Sequence, residues 1–325
     1  MKKFLLALSL FLMLLASFSG CGNQASLTDG GKKDGKLKVV TTVFPLYDWT
    51  RQIAGDEIKH MDLTLLLSNG VDLHSYQPTS SDIMKISNAD LFIYVGGESD
   101  EWVKDVLKEA TNKNMIAVNL MEVLGDKAKR EELVEGMEKE DDGEEEDKYD
   151  EHIWLSLKNA NILCRAIADA LERADAAHAD AYRKNADAYL EKLAALDKEY
   201  RDTVAQAKGK TLVFGDRFPF RYLADDYGLA YYAAFAGCSA ETEASFETIA
   251  FLSGKLNELK PPAILVLEGR THKIAEAVAQ NSSLPQTEIL PMDSMQGTSK
   301  EDAEKGATYL SIMEKNLTIL KTVLK

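Results

Sequence analysis

Residues 178–207 read HADAYRKNADAYLEKLAALDKEYRDTVAQA, thirty positions without Gly or Pro. Within them Tyr182, Ala186, Tyr189, Leu193, Leu196, Tyr200 and Val204 follow one another in steps of three or four. That spacing puts a single apolar stripe on a helix. At 1.5 Å per residue such a helix is about 45 Å long. A flexible hinge would carry Gly and Pro, so this stretch reads as a stiff strut.

On either side of the strut, apolar runs of strand length alternate with segments of helical period. Before it stand LKVVTTV (37–43), a helix from PLYDWTRQIAG with Pro45 in its first turn, and a strand in IKHMDLTLLL. There follow a short helix in SDIMKISNA capped by Ser80 or Ser81, the strand DLFIYVG, the helix EWVKDVLKEA and the strand MIAVNL. After the strut come TLVFG, FPFRYLADDYG, LAYYAAF, FETIAFLSGKLNEL, AILVLE, THKIAEAVAQN and TEIL, then a helix over 301–324. Strands separated by helices build parallel sheets covered on both faces. The expected fold class is therefore α/β, with two lobes of parallel four-stranded sheet joined by one long rigid helix. The boundaries are an N-terminal lobe at 37–174, a connecting helix at 175–207 and a C-terminal lobe at 208–325. A length of 325 residues suits two such units.

The first residues read as an address. Lys2 and Lys3 precede an apolar run from Phe4 to Phe18 that ends in Ser19-Gly20-Cys21. A basic start and a run of this length form a secretory signal, while a membrane span needs roughly 20 apolar residues. Small residues directly before Cys21 resemble the bacterial lipobox, which makes 1–21 a lipoprotein signal peptide and Cys21 the acylated mature N-terminus. The polar, Gly-rich residues 22–36 form a flexible tether. The mature chain is expected outside the cytoplasmic membrane and anchored to it by lipid.

The net charge of -15 argues against sequence-independent nucleic-acid binding, which needs Lys and Arg against phosphate. Much of that charge sits in residues 131–151, where thirteen acids face two lysines, and this segment reads as an exposed acidic loop. The chain has no phosphate-binding glycine loop, no dinucleotide fingerprint, no H-E-x-x-H and no nucleophile elbow. Three cysteines cannot make a four-Cys zinc site. Cys164 and Cys238 read first as two separately buried thiols, with a disulfide between the lobes, which the space outside the cell allows, as the alternative.

Of five histidines, His60 falls within a predicted strand and His178 at the start of the strut, with nothing around either that marks a ligand. His74 lies in a loop after the second strand, and His152 where the acidic loop rejoins ordered sequence. Asp216 follows the strand TLVFG, Glu268 closes AILVLE, and His272 begins the next helix. Ligands of open parallel sheets bind beyond the carboxyl ends of the strands, where His74, Asp216 and Glu268 all stand. Two imidazoles with one or two carboxylates in an inter-lobe cleft suit a divalent ion such as Zn2+, with Mn2+ as the alternative.

The stretches TTVFPLYDWTRQIAGD, GVDLHSYQPTSSDIMKISNADLFIYVGG, EHIWLSLKNA, LEKLAALDKEY, FRYLADDYGL and CSAETEASFETI resemble, in order, the zinc/manganese-binding solute-binding lipoproteins of bacterial metal ABC transporters. The resemblance runs from about residue 37 to 325. It implies two α/β lobes, one long helix and a metal in the cleft. It places the first ligand on His74, with Leu73 where the family has Pro, and the second on His152, with Asp150-Glu151 in place of Asp-Pro. At the third position the sequence departs: Gly215-Asp216-Arg217-Phe218-Pro219-Phe220 stands where the family usually has His. Asp216 is the nearest cation-binding side chain there, while Arg217 can instead pair with a carboxylate. The fourth ligand falls on Glu268, with His272 as a substitute or addition.

The resemblance implies a monomeric extracytoplasmic receptor that captures Zn2+, or Mn2+, and delivers it to a membrane permease with its ATPase. A surface adhesin is an alternative within the same class. A metallohydrolase fits least, because a catalytic zinc needs an open water position and a nearby base. Replacing Cys21 by Ser is expected to abolish lipid attachment, read as loss of incorporated radiolabelled fatty acid.

Overall fold

The computed structural model describes residues 35–138, 148–239, 243–269 and 271–325. Cys21, most of the tether and residues 139–147 of the acidic segment lie outside the described residues.

The first half is a four-stranded parallel sheet. Its strands are β1 (Leu37–Thr41), β2 (Met61–Leu65), β3 (Leu91–Tyr94) and β4 (Ile116–Asn119), in the order β2-β1-β3-β4. Leu37 pairs with Met61, Val39 with Leu91 and Leu91 with Ile116. Helices α1 (Phe44–Ala54), α2 (Ser80–Ser87), α3 (Val103–Glu109) and α4 (Leu120–Leu124) connect and flank the strands. Because all four strands run the same way, the loops after β1, β2 and β3 collect along one edge. Two local expectations change. Residues Gly55–His60 form a 3-10 turn ahead of β2, because they carry four charged or imidazole side chains and bury none of them. Helix α2 is capped by Thr79 rather than Ser80 or Ser81, through a reciprocal box in which Thr79 and Asp82 each accept the other's backbone N–H.

Two packed helices follow, α5 (Leu157–Ala174) and α6 (Ala179–Ala205). The 27 residues of α6 span about 40 Å. All seven stripe residues of the strut are buried. Asn185 Nδ2 donates to Ile53 O at 3.1 Å, and Tyr200 Oη donates to Met313 O at 2.6 Å. One side chain thus ties α6 to α1 and another ties it to the last helix.

The second half contains β5 (Thr211–Val213), β6 (Arg217–Phe218), α7 (Arg221–Tyr227), β7 (Ala230–Tyr232), β8 (Phe235–Ala236) and α8 (Phe246–Leu259). These lead into β9 (Ala263–Leu267), α9 (Lys273–Gln280), β10 (Glu288–Met292), α10 (Lys300–Glu304) and α11 (Tyr309–Val323). The parallel pairs β5–β7 and β9–β10 are joined by a bridge between Phe214 and Leu265, giving the order β7-β5-β9-β10. A separate two-residue ladder, β6–β8, projects past the carboxyl end of β5. The single C-terminal helix expected over 301–324 is two pieces, because Gly306 turns the chain at φ 102° between them.

One continuous apolar cluster runs from Leu37 to Leu324 and takes in both sheets and the α5–α6 pair. Polar bonds cross it at Tyr309. Its Oη donates to Trp154 O at 2.6 Å and its backbone N–H to Asp48 Oδ2 at 2.9 Å, while its ring meets Trp49 edge-on at 5.0 Å. Trp154 Nε1 in turn donates to Ser294 O at 2.9 Å. Tyr309→Phe leaves the buried Trp154 carbonyl without this donor, at a cost of about 1–3 kcal/mol. The expected result is a lower urea midpoint with an unchanged slope.

Candidate metal centre

His74 sits on a 3-10 turn, Leu73–Ser75, in the loop after β2. Asp72 caps that turn by accepting His74 N–H at 3.1 Å. Asp72 also accepts from Arg217 Nη2 at 2.5 Å, and the pair is largely enclosed. Burial alone would raise the Asp72 carboxyl, but the Arg217 guanidinium outweighs it and holds the group below its ordinary value. Arg217 begins β6, so this ion pair fixes the His74 loop to the second half.

His152 is fully buried and precedes the 3-10 turn Ile153–Leu155. Asp150 Oδ1 accepts from both His152 N, at 2.8 Å, and His152 Nδ1, at 2.9 Å. That orientation leaves Nε2 as the lone-pair nitrogen, the arrangement of metal-binding imidazoles backed by a carboxylate. His74 is held in a similar way. Its Nδ1 lies 2.9 Å from Ser99 Oγ and 3.4 Å from Glu151 Oε2. Burial would raise Glu151, but its contacts with His74 and Ser99 prevail and hold it low. The two Nε2 atoms face each other at 3.2 Å. Two nitrogens bound to one tetrahedral zinc at 2.0–2.1 Å stand about 3.3 Å apart.

A third ligand type joins them. The sulfur of Cys238 and the two imidazole nitrogens lie within 4.8 Å of one another. Cys238 follows β8, and Gly237 brings its loop close: a Cβ there would stand 2.9 Å from Phe218 O and 3.3 Å from His152 Cε1. Cys238 N–H donates to Glu131 Oε1 at 2.7 Å. Burial, and then the charges of Asp150, Glu131 and Glu151, push the thiol well above its ordinary pKa. Cys164 and Cys238 do not form the disulfide considered from the sequence. Both are free, and Cys164 is enclosed in the α5 core.

The second-half candidates are placed differently. Both carboxylate oxygens of Asp216 are engaged by backbone, with Arg217 N–H at 2.8 Å and Leu267 N–H at 3.4 Å. Glu268 is held by Ser294 N–H and Ser294 Oγ, each at 2.8 Å. Burial and the neighbouring charge of Asp293 raise its carboxyl to about 7 despite these bonds. His272 precedes α9, with its Nδ1 enclosed and without a partner among the described residues. None of the three joins the His74–His152–Cys238 group. Glu268 does line a cavity of about 530 Å3 together with Asp72, Arg217, Ser294 and Gln296. Gln296 spans the gap: its nitrogen donates to Asp72 at 2.7 and 3.1 Å, and the other end of its amide lies 2.7 Å from His152 Nε2.

Sequence reasoning brought His74 and His152 forward but left Cys238 as a disulfide candidate. The strand-end rule that singled out Asp216 and Glu268 applies equally to Cys238, behind the short strand β8. That stretch was read as one strand, LAYYAAF, which divides into β7 and β8, and the cysteine behind it was weighed only as a disulfide partner.

Residues 39–323 match the family model described as zinc-uptake complex component A, periplasmic. The chain is 34% identical over 328 residues to the zinc-binding lipoprotein AdcA of Streptococcus pneumoniae, covering 99% of this chain and 61% of that protein. It is 33% identical over 309 residues to the high-affinity zinc uptake system protein ZnuA of Bacillus subtilis, covering 93% and 92%. The crystal structure of the Zn(II)-bound ZnuA-like domain of Streptococcus pneumoniae AdcA superposes with a TM-score of 0.70 at 32% identity, over 89% of this chain and 99% of that one. The chain therefore spans about three-fifths of the AdcA relatives it matches.

Arg217→Met removes the cation from an enclosed carboxylate and is expected to cost about 2–5 kcal/mol, measured by denaturant unfolding. Because the folded carboxyl of Asp72 is lowered, the pair's contribution is complete above the unfolded value of about 3.9 and is lost as pH falls through the folded value. The gap between wild type and variant should narrow below about pH 4.

Proposed function

The chain belongs to the ZnuA family of periplasmic zinc-uptake complex component A, and we propose that it is a receptor that captures Zn2+ outside the cytoplasmic membrane and hands it to an ABC permease. The observation that carries this reading is the pair of Nε2 atoms at 3.2 Å, each imidazole held from behind by a carboxylate, with a thiol beside them. Nitrogen and sulfur ligands favour zinc over manganese, which prefers oxygen. His74, His152 and Cys238 are the proposed first three ligands. Glu268 is the proposed fourth, because it lines the same cavity as Gln296, the residue bonded to His152. Gln296 leaves His152 Nε2 when the ion enters.

The zinc is cargo, and the chain is not an enzyme. Each ligand does one thing. The buried imidazoles supply lone pairs fixed by Asp150 and Glu151, and Cys238 gives up a proton on binding, so that acid releases the ion. The proposed lipid anchor at Cys21 holds a monomeric receptor at the membrane, within reach of its permease. The lipoprotein description of the Streptococcus pneumoniae relative supports this location.

Calorimetric titration with zinc tests the assignment. His74→Ala and His152→Ala are expected to lower affinity at least 100-fold, and Cys238→Ser to weaken zinc more than manganese. Zinc should raise the melting temperature of the wild type more than that of the histidine variants, since tighter binding to the folded state stabilises it more. If both histidine variants keep wild-type affinity, the receptor reading fails. Asp216→Ala and His272→Ala should leave affinity unchanged. A severe loss in either would move the fourth ligand from Glu268 to that residue.

A further inference from the structure

A second group of ligand atoms lies at the other edge of the first sheet. His74 follows the carboxyl end of β2, whereas His60 directly precedes Met61 at its amino end. Glu57 and His60 stand three residues apart on the 3-10 turn Gly55–His60, a spacing at which 3-10 side chains eclipse. His178 closes the short turn Ala176–His178, immediately before α6. Neither histidine had a ligand context in sequence, because 118 positions separate them.

The three side chains converge on one atom. Glu57 Oε2 lies 3.6 Å from His60 Nε2 and 3.5 Å from His178 Nε2. These distances are long for hydrogen bonds, and they match the roughly 3.3 Å edge of a tetrahedral zinc site. All three ligand atoms lie within 4.8 Å of one another. The imidazole rings are stacked, 4.7 Å apart and 15° from parallel. His178 is also backed by an acid. Its Nδ1 lies 2.8 Å from Asp175 Oδ2, which accepts from Tyr182 Oη at 2.8 Å as well. A carboxylate can only accept, so Nδ1 carries a proton, and in the neutral ring Nε2 is the nitrogen whose lone pair faces Glu57. Lys59 Nζ, 3.9 Å from the same Glu57 oxygen, is 62% exposed and free to swing into solvent.

We propose that Glu57, His60 and His178 form a second divalent-metal site of the zinc class, with water at the fourth position. Its ligands are two imidazoles and a carboxylate without sulfur, and its partial exposure makes it the weaker, exchangeable site. A bound ion clasps the turn ahead of β2 to the start of α6. The site shares no residue with the proposed cargo site, so the two stand or fall separately.

Equilibrium dialysis against zinc, with native mass spectrometry of the full mature chain, tests the site. Wild type should take up one ion more than His60→Ala or His178→Ala, with the tighter affinity unchanged within about twofold. His178→Gln can still donate to Asp175 yet offers no strong ligand, so the same loss there separates ligation from misfolding. Asp175→Asn should weaken the second ion about 10- to 100-fold. The doubly substituted His74→Ala/His152→Ala chain should keep it. With Co2+ in place of Zn2+, the ion retained by that double variant should lack the thiolate charge-transfer band that Cys238 gives the other site. An ion count unchanged by replacing both His60 and His178 overturns the proposal, as does loss of the second ion in the His74/His152 variant.

Discussion

The carboxylate of Asp72 organises the region where the two halves meet. It caps the turn that carries His74, pairs with Arg217 from the second half, and accepts from the Gln296 amide that reaches His152. A single charged group thereby relates the positions of both central imidazoles. An enclosed carboxylate is stable only with its charge compensated, so Arg217 cannot be exchanged without disturbing the loop it faces. This accounts for the sequence that departs from the family resemblance at 215–220. At the position where the resembled family usually has His and Asp216 was the candidate, the chain sets Arg217 on Asp72, and a thiol from the following loop stands beside the imidazoles.

The fold was legible where periodicity was long. The stripe from Tyr182 to Val204 needs only regular spacing to be read, and every one of its residues is buried. The strands of the first sheet were equally plain, since both faces are covered and apolar runs result. Short or irregular elements were not legible. Residues 58–60 of the turn Gly55–His60 were taken for the start of a strand, and β6 and β8 are two residues each. The break at Gly306 was masked by helix-forming residues on both sides.

Within the candidate centre, His74 and His152 were legible because each lies beside an acid in a loop next to ordered sequence. Their partner Cys238 was not, since its closeness depends on the packing of Gly237 against Phe218 and His152. The same holds for His60 and His178, which meet only because α6 packs back on α1. Ligands gathered from distant segments leave no local motif, and tertiary packing alone reveals them.

Tyr309 carries a consequence for the order in which the molecule is made. Asp48 and Trp154, both in the first half, find their partners on a residue near the far end of the chain. Contacts so distant in sequence close late, after most of the chain has become available. The amino-terminal sheet therefore completes its polar interior only once α11 has emerged. Until then the Asp48 carboxylate and the Trp154 carbonyl lack their Tyr309 partner.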